Sequence, residues 1–250
     1  MSSTIVLITG ANSGVGYATS KVLVRTSECF HIIMTGRSLE RCESAKAELE
    51  LEGIKGSLSV MQLDVTDEKS ILKAAASVER QFGKLDVLMN NAGVGGFEPD
   101  MGTRFQICFQ TNVIGPALVS EAFRPLLLKS QNPYSIFVGT GQRSLTRNAW
   151  QRHASHANIQ NGGAYQISKA ALNMLAVLEA RDHGPDGLKV FVMSPGFVQS
   201  NLRGSSHEAR TGWGQAGDPD VSGHIILDIV QGKRDGDVGS FIHKDGVYPW

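Results

Sequence analysis

The chain lacks a net charge: 24 Lys and Arg balance 24 Asp and Glu across 250 residues. No global field therefore draws it to nucleic acid or to an anionic membrane surface. Cysteine is scarce, with only Cys29, Cys42 and Cys108, an odd and scattered set without metal-ligand spacing. These read as free thiols in a reducing compartment, with neither a disulfide framework nor a metal site. No apolar run approaches the length of a transmembrane helix. The N-terminus has no basic segment ahead of a long apolar run, and N-x-S/T sequons are missing. The expectation is a soluble cytoplasmic protein with no membrane or nucleic-acid partner.

What the chain does have is alternation. Its 41% hydrophobic content is enough for one well-buried core. Short β-branched runs at 4–9, 30–35, 57–63, 85–90, 134–139, 188–193 and 239–243 read as strands. Longer helical segments reach to about residue 25 after the first run and cover 39–52, 67–81 and 103–129 after the next three. Strands alternating with helices predict a parallel sheet with helices on both faces. No linker, repeat or composition shift divides the chain, so 1–250 is expected to be one domain. Its least regular parts are 141–163 and 200–220.

Three motifs carry chemistry. The first is "TGANSGVG", residues 9–16, directly after the first strand. Gly10, Gly14 and Gly16 lack side chains at a strand-to-helix junction. There a phosphate can approach backbone N–H groups and the helix dipole. Asn12, Ser13 and Val15 complete the candidate cofactor loop. Glycine-rich turns are common, so the loop is weak evidence alone and gains weight from its position. The second motif ends the second strand, where an NAD site usually carries an acidic residue for the ribose 2′-hydroxyl. This chain has Gly36 and then Arg37, a cation suited to a 2′-phosphate. The third is "YQISK", with Tyr165 and Lys169 on one face of a helix. An ammonium near a phenol favours the phenolate. The pair is therefore either a tuned proton donor or a wet helix face.

With "TGANSGVG", "NNAG" (90–93) and "YQISK" (165–169) in this order and spacing, the sequence resembles the short-chain dehydrogenase/reductase family over nearly its whole length. The resemblance implies a single-domain Rossmann fold of α/β class, with a doubly wound seven-stranded parallel sheet. It also implies NADP(H) as cofactor, with Arg37 as the selecting cation. Further cofactor-binding positions follow: Asp64 and Val65 at the adenine, the turn Asn91, Ala92 and Gly93, and the segment Pro195, Gly196, Val198 and Ser200 at the nicotinamide. In the family the tyrosine is the general acid or base, and the lysine lowers its pKa and holds the nicotinamide ribose. A cation about 4 Å from the phenol, at an effective dielectric near 20, contributes roughly 4 kcal/mol. That brings an ordinary phenol within working range of neutral pH. Asn112 matches the helical asparagine whose backbone carbonyl holds a water of the proton relay. Pro116, four residues later, offers no N–H to that carbonyl.

Two departures stand out. The family's substrate-orienting serine is missing from "SIFVGTGQRSL". Aligning the strand's end puts Thr140 there, with Ser144 or no replacement as alternatives. The gap from Thr140 to Tyr165 is also longer than the family's usual one. The insert 141–163 resembles, in position, that of monomeric carbonyl reductases, where extra residues cover the common dimer surface. It carries Arg143, Arg147, Arg152 and Trp150 with no acidic residue. Either it favours a planar or anionic substrate or it is a solvated loop. His153 and His156 within it show no third metal ligand. The polar segment 200–220 has the composition of a substrate lid, with Trp213 as its expected apolar contact. The lid is favoured by position in the family, with a plain surface loop as the alternative.

The catalytic set is thus Tyr165, Lys169, Asn112 and Thr140, acting on a small-molecule carbonyl or alcohol. The leading expectation is reduction of a ketone, aldehyde or quinone. Oxidation of a secondary alcohol and a non-redox cofactor-binding scaffold are the alternatives. A monomer or homodimer is expected.

Overall fold

A computed structural model describes residues 3–141, 144–150 and 162–250. Its strands are β1 (Thr4–Ile8), β2 (Phe30–Gly36), β3 (Ser57–Gln62), β4 (Val87–Asn90), β5 (Tyr134–Val138), β6 (Lys189–Met193), β7 (Phe241–His243) and β8 (Gly246–Tyr248). Among them run α1 (Gly14–Thr26), α2 (Leu39–Leu51), α3 (Glu68–Phe82), α4 (Met101–Phe109), α5 (Gly115–Leu127), α6 (Leu145–Trp150), α7 (Gly163–His183), α8 (His207–Arg210) and α9 (Asp220–Val230).

All eight strands form one sheet in the order β3-β2-β1-β4-β5-β6-β7-β8. Pairing is parallel from β3 through β7. The expected seven strands are present, and β8 adds an eighth by folding back antiparallel on β7. Gly246, at φ 143°, opens that return strand; only glycine adopts this conformation readily.

The apolar strands are continuous because both faces of the sheet are covered. Side chains alternate between the faces at period two. Val6 and Ile8 point to one side, with Leu23 of α1, Leu49 of α2, and Ile225, Ile226 and Ile229 of α9. Ile5 and Leu7 point to the other, with Ile71 and Val78 of α3, Val119 and Phe123 of α5, and Leu172 of α7. Each such side chain, fully buried, contributes about 1.5–3 kcal/mol of transfer free energy. Helix α9 is an element the periodicity reading does not supply. It seats tightly because Gly223 faces α1, where a Cβ would lie 2.7 Å from Val22 Cγ2.

The expected single helix over 103–129 is interrupted. Between α4 and α5, Gln110–Ile114 forms a π-helical turn in which the Gly115 N–H reaches back to the Gln110 carbonyl. Pro116 lies in the first turn of α5, so the widened turn falls where a proline withholds an N–H. Among the described residues no helix is long and apolar enough to cross a membrane. The three cysteines are free.

Candidate active site

In an open parallel sheet the ligand crevice lies beyond the C-terminal ends of the strands, where the strand order reverses. Here β1 is flanked by β2 and β4, so that point lies between β1 and β4. The segments that follow β1, β4, β5 and β6 converge on it, and each carries residues singled out from the sequence.

The loop after β1 is built for close approach. Gly10 and Gly14 have φ of 64° and 55°, a region that strongly favours glycine. A Cβ on Gly10 would stand 3.1 Å from Ala92 Cα, and one on Gly14 would stand 3.3 Å from Ser200 Cβ. At Gly16 it would lie 2.6 Å from Asn91 Nδ2 and 2.7 Å from the Gly10 carbonyl oxygen. Helix α1 begins with Ser13 as a cap whose side chain makes no capping bond, and its first turn carries no acidic residue. The uncapped N–H groups and the dipole therefore face the crevice as an anion cradle. Val15 packs against the core, while a Cβ on Gly36 would crowd Cys42 Sγ at 3.0 Å and Asn12 Oδ1 at 3.2 Å.

Thr9, which sequence reasoning missed, joins this loop to the turn after β4. Its hydroxyl accepts the N–H groups of Asn91 at 2.9 Å and Ala92 at 3.0 Å. The Asn91 amide returns the tie by donating to the Thr9 carbonyl at 2.7 Å. Its position just ahead of the glycines was the available signal. After β2, Arg37 is exposed, and among the described residues it has no carboxylate partner within ion-pair distance. The Gln62 amide donates to its carbonyl at 3.2 Å. At the end of β3, Asp64 Oδ1 accepts from the Thr66 N–H and hydroxyl at 2.9 and 2.7 Å. Val65 is buried against Gly115.

Tyr165 and Lys169 project from the first turns of α7. Lys169 is 4% exposed, and its ammonium donates to the Val138 carbonyl at 2.8 Å. The ammonium lies 6.0 Å from the centre of the half-buried Tyr165 ring. Burial, slightly opposed by the Cys108 thiol, draws the Lys169 pKa from an ordinary 10.5 down to about 8. A Cβ on Gly93 would meet Asn112 Oδ1 at 3.2 Å and the Lys169 ammonium at 3.5 Å. The bare glycine thus opens the crevice directly onto the lysine.

Asn112 is completely buried in the π turn. Its side-chain oxygen accepts the Val94 N–H at 2.9 Å, and its amide donates to the Val94 carbonyl and to Ser168 Oγ, both at 3.0 Å. Ser168 in turn donates to the Tyr165 carbonyl at 2.8 Å. The asparagine therefore locks the turn after β4 to the Tyr165 helix. This side-chain role accompanies the backbone role the sequence suggests.

Thr140, just past β5, is half-buried, whereas Ser144 is completely buried. Of the two candidates, Thr140 keeps solvent-accessible surface and Ser144 has none. Ser194, at the end of β6, accepts the Gly141 N–H at 2.9 Å and the Gly196 N–H at 3.4 Å. It thereby ties the β5 loop to Pro195 and Gly196. A Cβ on Gly196 would meet nothing within 4 Å, so this turn is open.

From Val198 to Gly217 the chain makes a closed excursion: the two residues form a parallel bridge. Its stem faces the crevice, with Ser200 against Gly14 and the Leu202 carbonyl against Gly95. Arg203 holds it together, donating to the carbonyls of Val198, Ala209 and Arg210 at 2.9–3.0 Å while lying 4.6 Å from the Phe197 ring. Burial draws this guanidinium below its ordinary range, and the Tyr165 phenol opposes that shift. Trp213 is 71% exposed at φ 54°, and at the base of the excursion the Phe197 ring packs against Arg203 and Gly212.

Arg143, Arg152, His153 and His156 lie outside the described residues, as do the side chains of Arg147 and Trp150. Among the described residues no group of three His, Cys, Asp or Glu is placed to hold a metal. The cradle, the uncapped helix and the glycine-lined slot fit an extended phosphate-bearing dinucleotide.

Comparison with known proteins gives a consistent result. The family model described as short chain dehydrogenase matches residues 4–211. The short-chain dehydrogenase/reductase tropE of Talaromyces stipitatus is 33% identical over 254 residues, spanning 96% of this chain and 95% of that one. The short-chain dehydrogenase/reductase eupG of Phoma sp is 35% identical over 270 residues, 98% and 97% of the two chains. Among solved structures, the NADPH-bound carbonyl reductase from chicken fatty liver matches with a TM-score of 0.80 at 25% identity, covering 100% of both chains.

Proposed function

The chain belongs to the short-chain dehydrogenase/reductase family, and from that premise we propose an NADPH-dependent reductase that converts a ketone, aldehyde or quinone into an alcohol. The observation that carries the reading is the buried Lys169 ammonium, held by the Val138 carbonyl beneath Tyr165 and reached from the crevice across the bare Gly93. A cation kept out of water beside a phenol supports proton transfer. On a solvated helix face the same pair would be screened.

Gly10, Asn12, Ser13, Gly14, Val15 and Gly16 hold the pyrophosphate, and Asp64 and Val65 flank the adenine. Asn91, Ala92 and Gly93 line the cofactor, while Pro195, Gly196, Val198 and Ser200 hold the nicotinamide end. Arg37, exposed and without a carboxylate partner, meets the 2′-phosphate. It also favours the reductive direction, because cells keep their NADPH pools reduced. When bound, the reduced nicotinamide supplies the hydride. Tyr165 gives its phenolic proton to the substrate oxygen as that oxygen gains negative charge. Thr140 donates a hydrogen bond to the same oxygen and orients it. Lys169 stabilises the phenolate left behind and holds the nicotinamide ribose. Asn112 keeps the Tyr165 helix in register with the slot, and its backbone carbonyl, denied the Pro116 N–H, supports the proton relay. The segment 200–220 is the lid over the substrate.

The test is NADPH oxidation, followed by loss of reduced-nicotinamide absorbance, against a panel of ketones, aldehydes and quinones. Wild type is expected to turn over at least one carbonyl class, and Tyr165→Phe to lose that turnover while still binding NADPH. Equal turnover by both proteins would remove Tyr165 as the acid. Tight NADPH binding without turnover of any carbonyl would favour the scaffold reading.

A further inference from the structure

The short segment Gly139–Thr140–Gly141 is gripped from several sides. A Cβ on Gly139 would stand 2.6 Å from Val192 Cγ1, 3.2 Å from Asn173 Oδ1 and 3.3 Å from Phe241 Cε2. One on Gly141 would overlap the Tyr248 ring, with Cζ only 2.7 Å away. The Gly141 N–H is held from another direction by Ser194 Oγ. Tyr248 is itself fixed. It stacks on His243 at 3.8 Å with planes 12° apart, and it meets Phe241 edge-on at 5.4 Å. Next to it, Phe241 stacks on Trp250 at 5.8 Å, and the Trp250 carbonyl accepts both the N–H and the hydroxyl of Thr146.

We propose that Tyr248, carried in by the antiparallel return of β8, is a positioning residue for Thr140. Its ring sets the height of the Gly141 backbone, and with it the direction of the Thr140 hydroxyl. Close-packed surroundings transmit such a constraint instead of absorbing it. The ring is the active element, because it is the ring carbons that Gly141 touches. This inference rests on the reading of Thr140 as the residue that orients the substrate oxygen.

The experiment compares Thr140→Ala, Tyr248→Ala, Tyr248→Phe, Gly141→Ala and the Gly141→Ala/Tyr248→Ala double variant. The readouts are kcat, KM for a carbonyl substrate, NADPH affinity and Tm. A misplaced catalytic hydroxyl costs up to about a hundredfold in rate. Tyr248→Ala is therefore expected to lower kcat between about ten- and a hundredfold with NADPH affinity unchanged, and Tyr248→Phe to restore it. Gly141→Ala should be damaging alone and harmless in the Tyr248→Ala background, where its methyl takes the space the ring left. Should Tyr248→Ala not fold, Tyr248→Leu carries the same comparison. A damaging Thr140→Ala with a harmless Tyr248→Ala overturns the positioning role alone. Equal cost of Gly141→Ala in both backgrounds also overturns it. A harmless Thr140→Ala overturns both the positioning role and the reading of Thr140 beneath it.

Discussion

Removing the charge from Lys169 separates catalysis from stability, and the two effects have opposite signs. The ammonium lies 6.0 Å from the Tyr165 ring centre. A cation about 6 Å from a phenolate, at an effective dielectric near 20, gives about 2.8 kcal/mol of stabilisation, or about two decades in rate. Lys169→Met is therefore expected to lower kcat/KM for carbonyl reduction about a hundredfold. In the wild type, the group titrates at about 8 in the free protein, and kcat/KM reports the free enzyme. Activity should thus fall as pH rises past about 8, and the residual activity of Lys169→Met should not follow that limb.

Stability runs the other way. The folded pKa is depressed, so between about 8 and 10.5 the folded form holds fewer protons at this site than the unfolded chain. The penalty is full below that window and gone above it. It amounts to about 3 kcal/mol, offset in the variant by about 1–3 kcal/mol for the Val138 carbonyl left without its donor. Lys169→Met should then be as stable as wild type near neutral pH, while being nearly inactive. The assays are initial rates across pH and thermal unfolding of both proteins. A wild-type alkaline profile that stays flat beyond pH 10.5, or a variant that loses activity only because it unfolds, would refute the reasoning.

Arg37→Asp should weaken NADPH about tenfold or more, the worth of charge-assisted hydrogen bonds, and improve NADH relative to it; cofactor fluorescence titration reads both. Equal loss for the two cofactors would place the arginine away from the 2′-phosphate. Arg203→Ala frees the three carbonyls it ties, so limited proteolysis within 200–216 should quicken and substrate KM rise, with kcat changed less. Unchanged cleavage would mean that the backbone turns of this excursion hold it without the guanidinium.

The sheet was legible because each β-branched run ends at a glycine or polar turn and both faces are buried. Tyr165 and Lys169 were legible because helical spacing puts them on one face whatever surrounds them. What escaped depends on contacts between residues far apart in sequence. The Lys169 ammonium is anchored by the Val138 carbonyl at 2.8 Å, a tie across 31 residues that spacing on one helix does not announce. Thr140 owes its surroundings to Phe241 and Tyr248, on strands that come a hundred residues later and whose antiparallel return no periodicity announces. The π turn at Asn112 inserts its extra residue within a helical pattern that reads as continuous, with Pro116 the one visible hint.

The excursion after β6 begins and ends at one place, since Val198 pairs with Gly217 and the Gly217 N–H bonds the Phe197 carbonyl at 2.9 Å. A segment closed at its own base is modular. Closure entropy grows only as the logarithm of length, so doubling the excursion costs about 0.6 kcal/mol. The stem touches the frame beneath at two points, Ser200 against Gly14 and the Leu202 carbonyl against Gly95. If 203–216 covers the substrate as proposed, exchanging it for a stretch of different length and character is a route to other substrates, with β6 and α9 as fixed points of attachment.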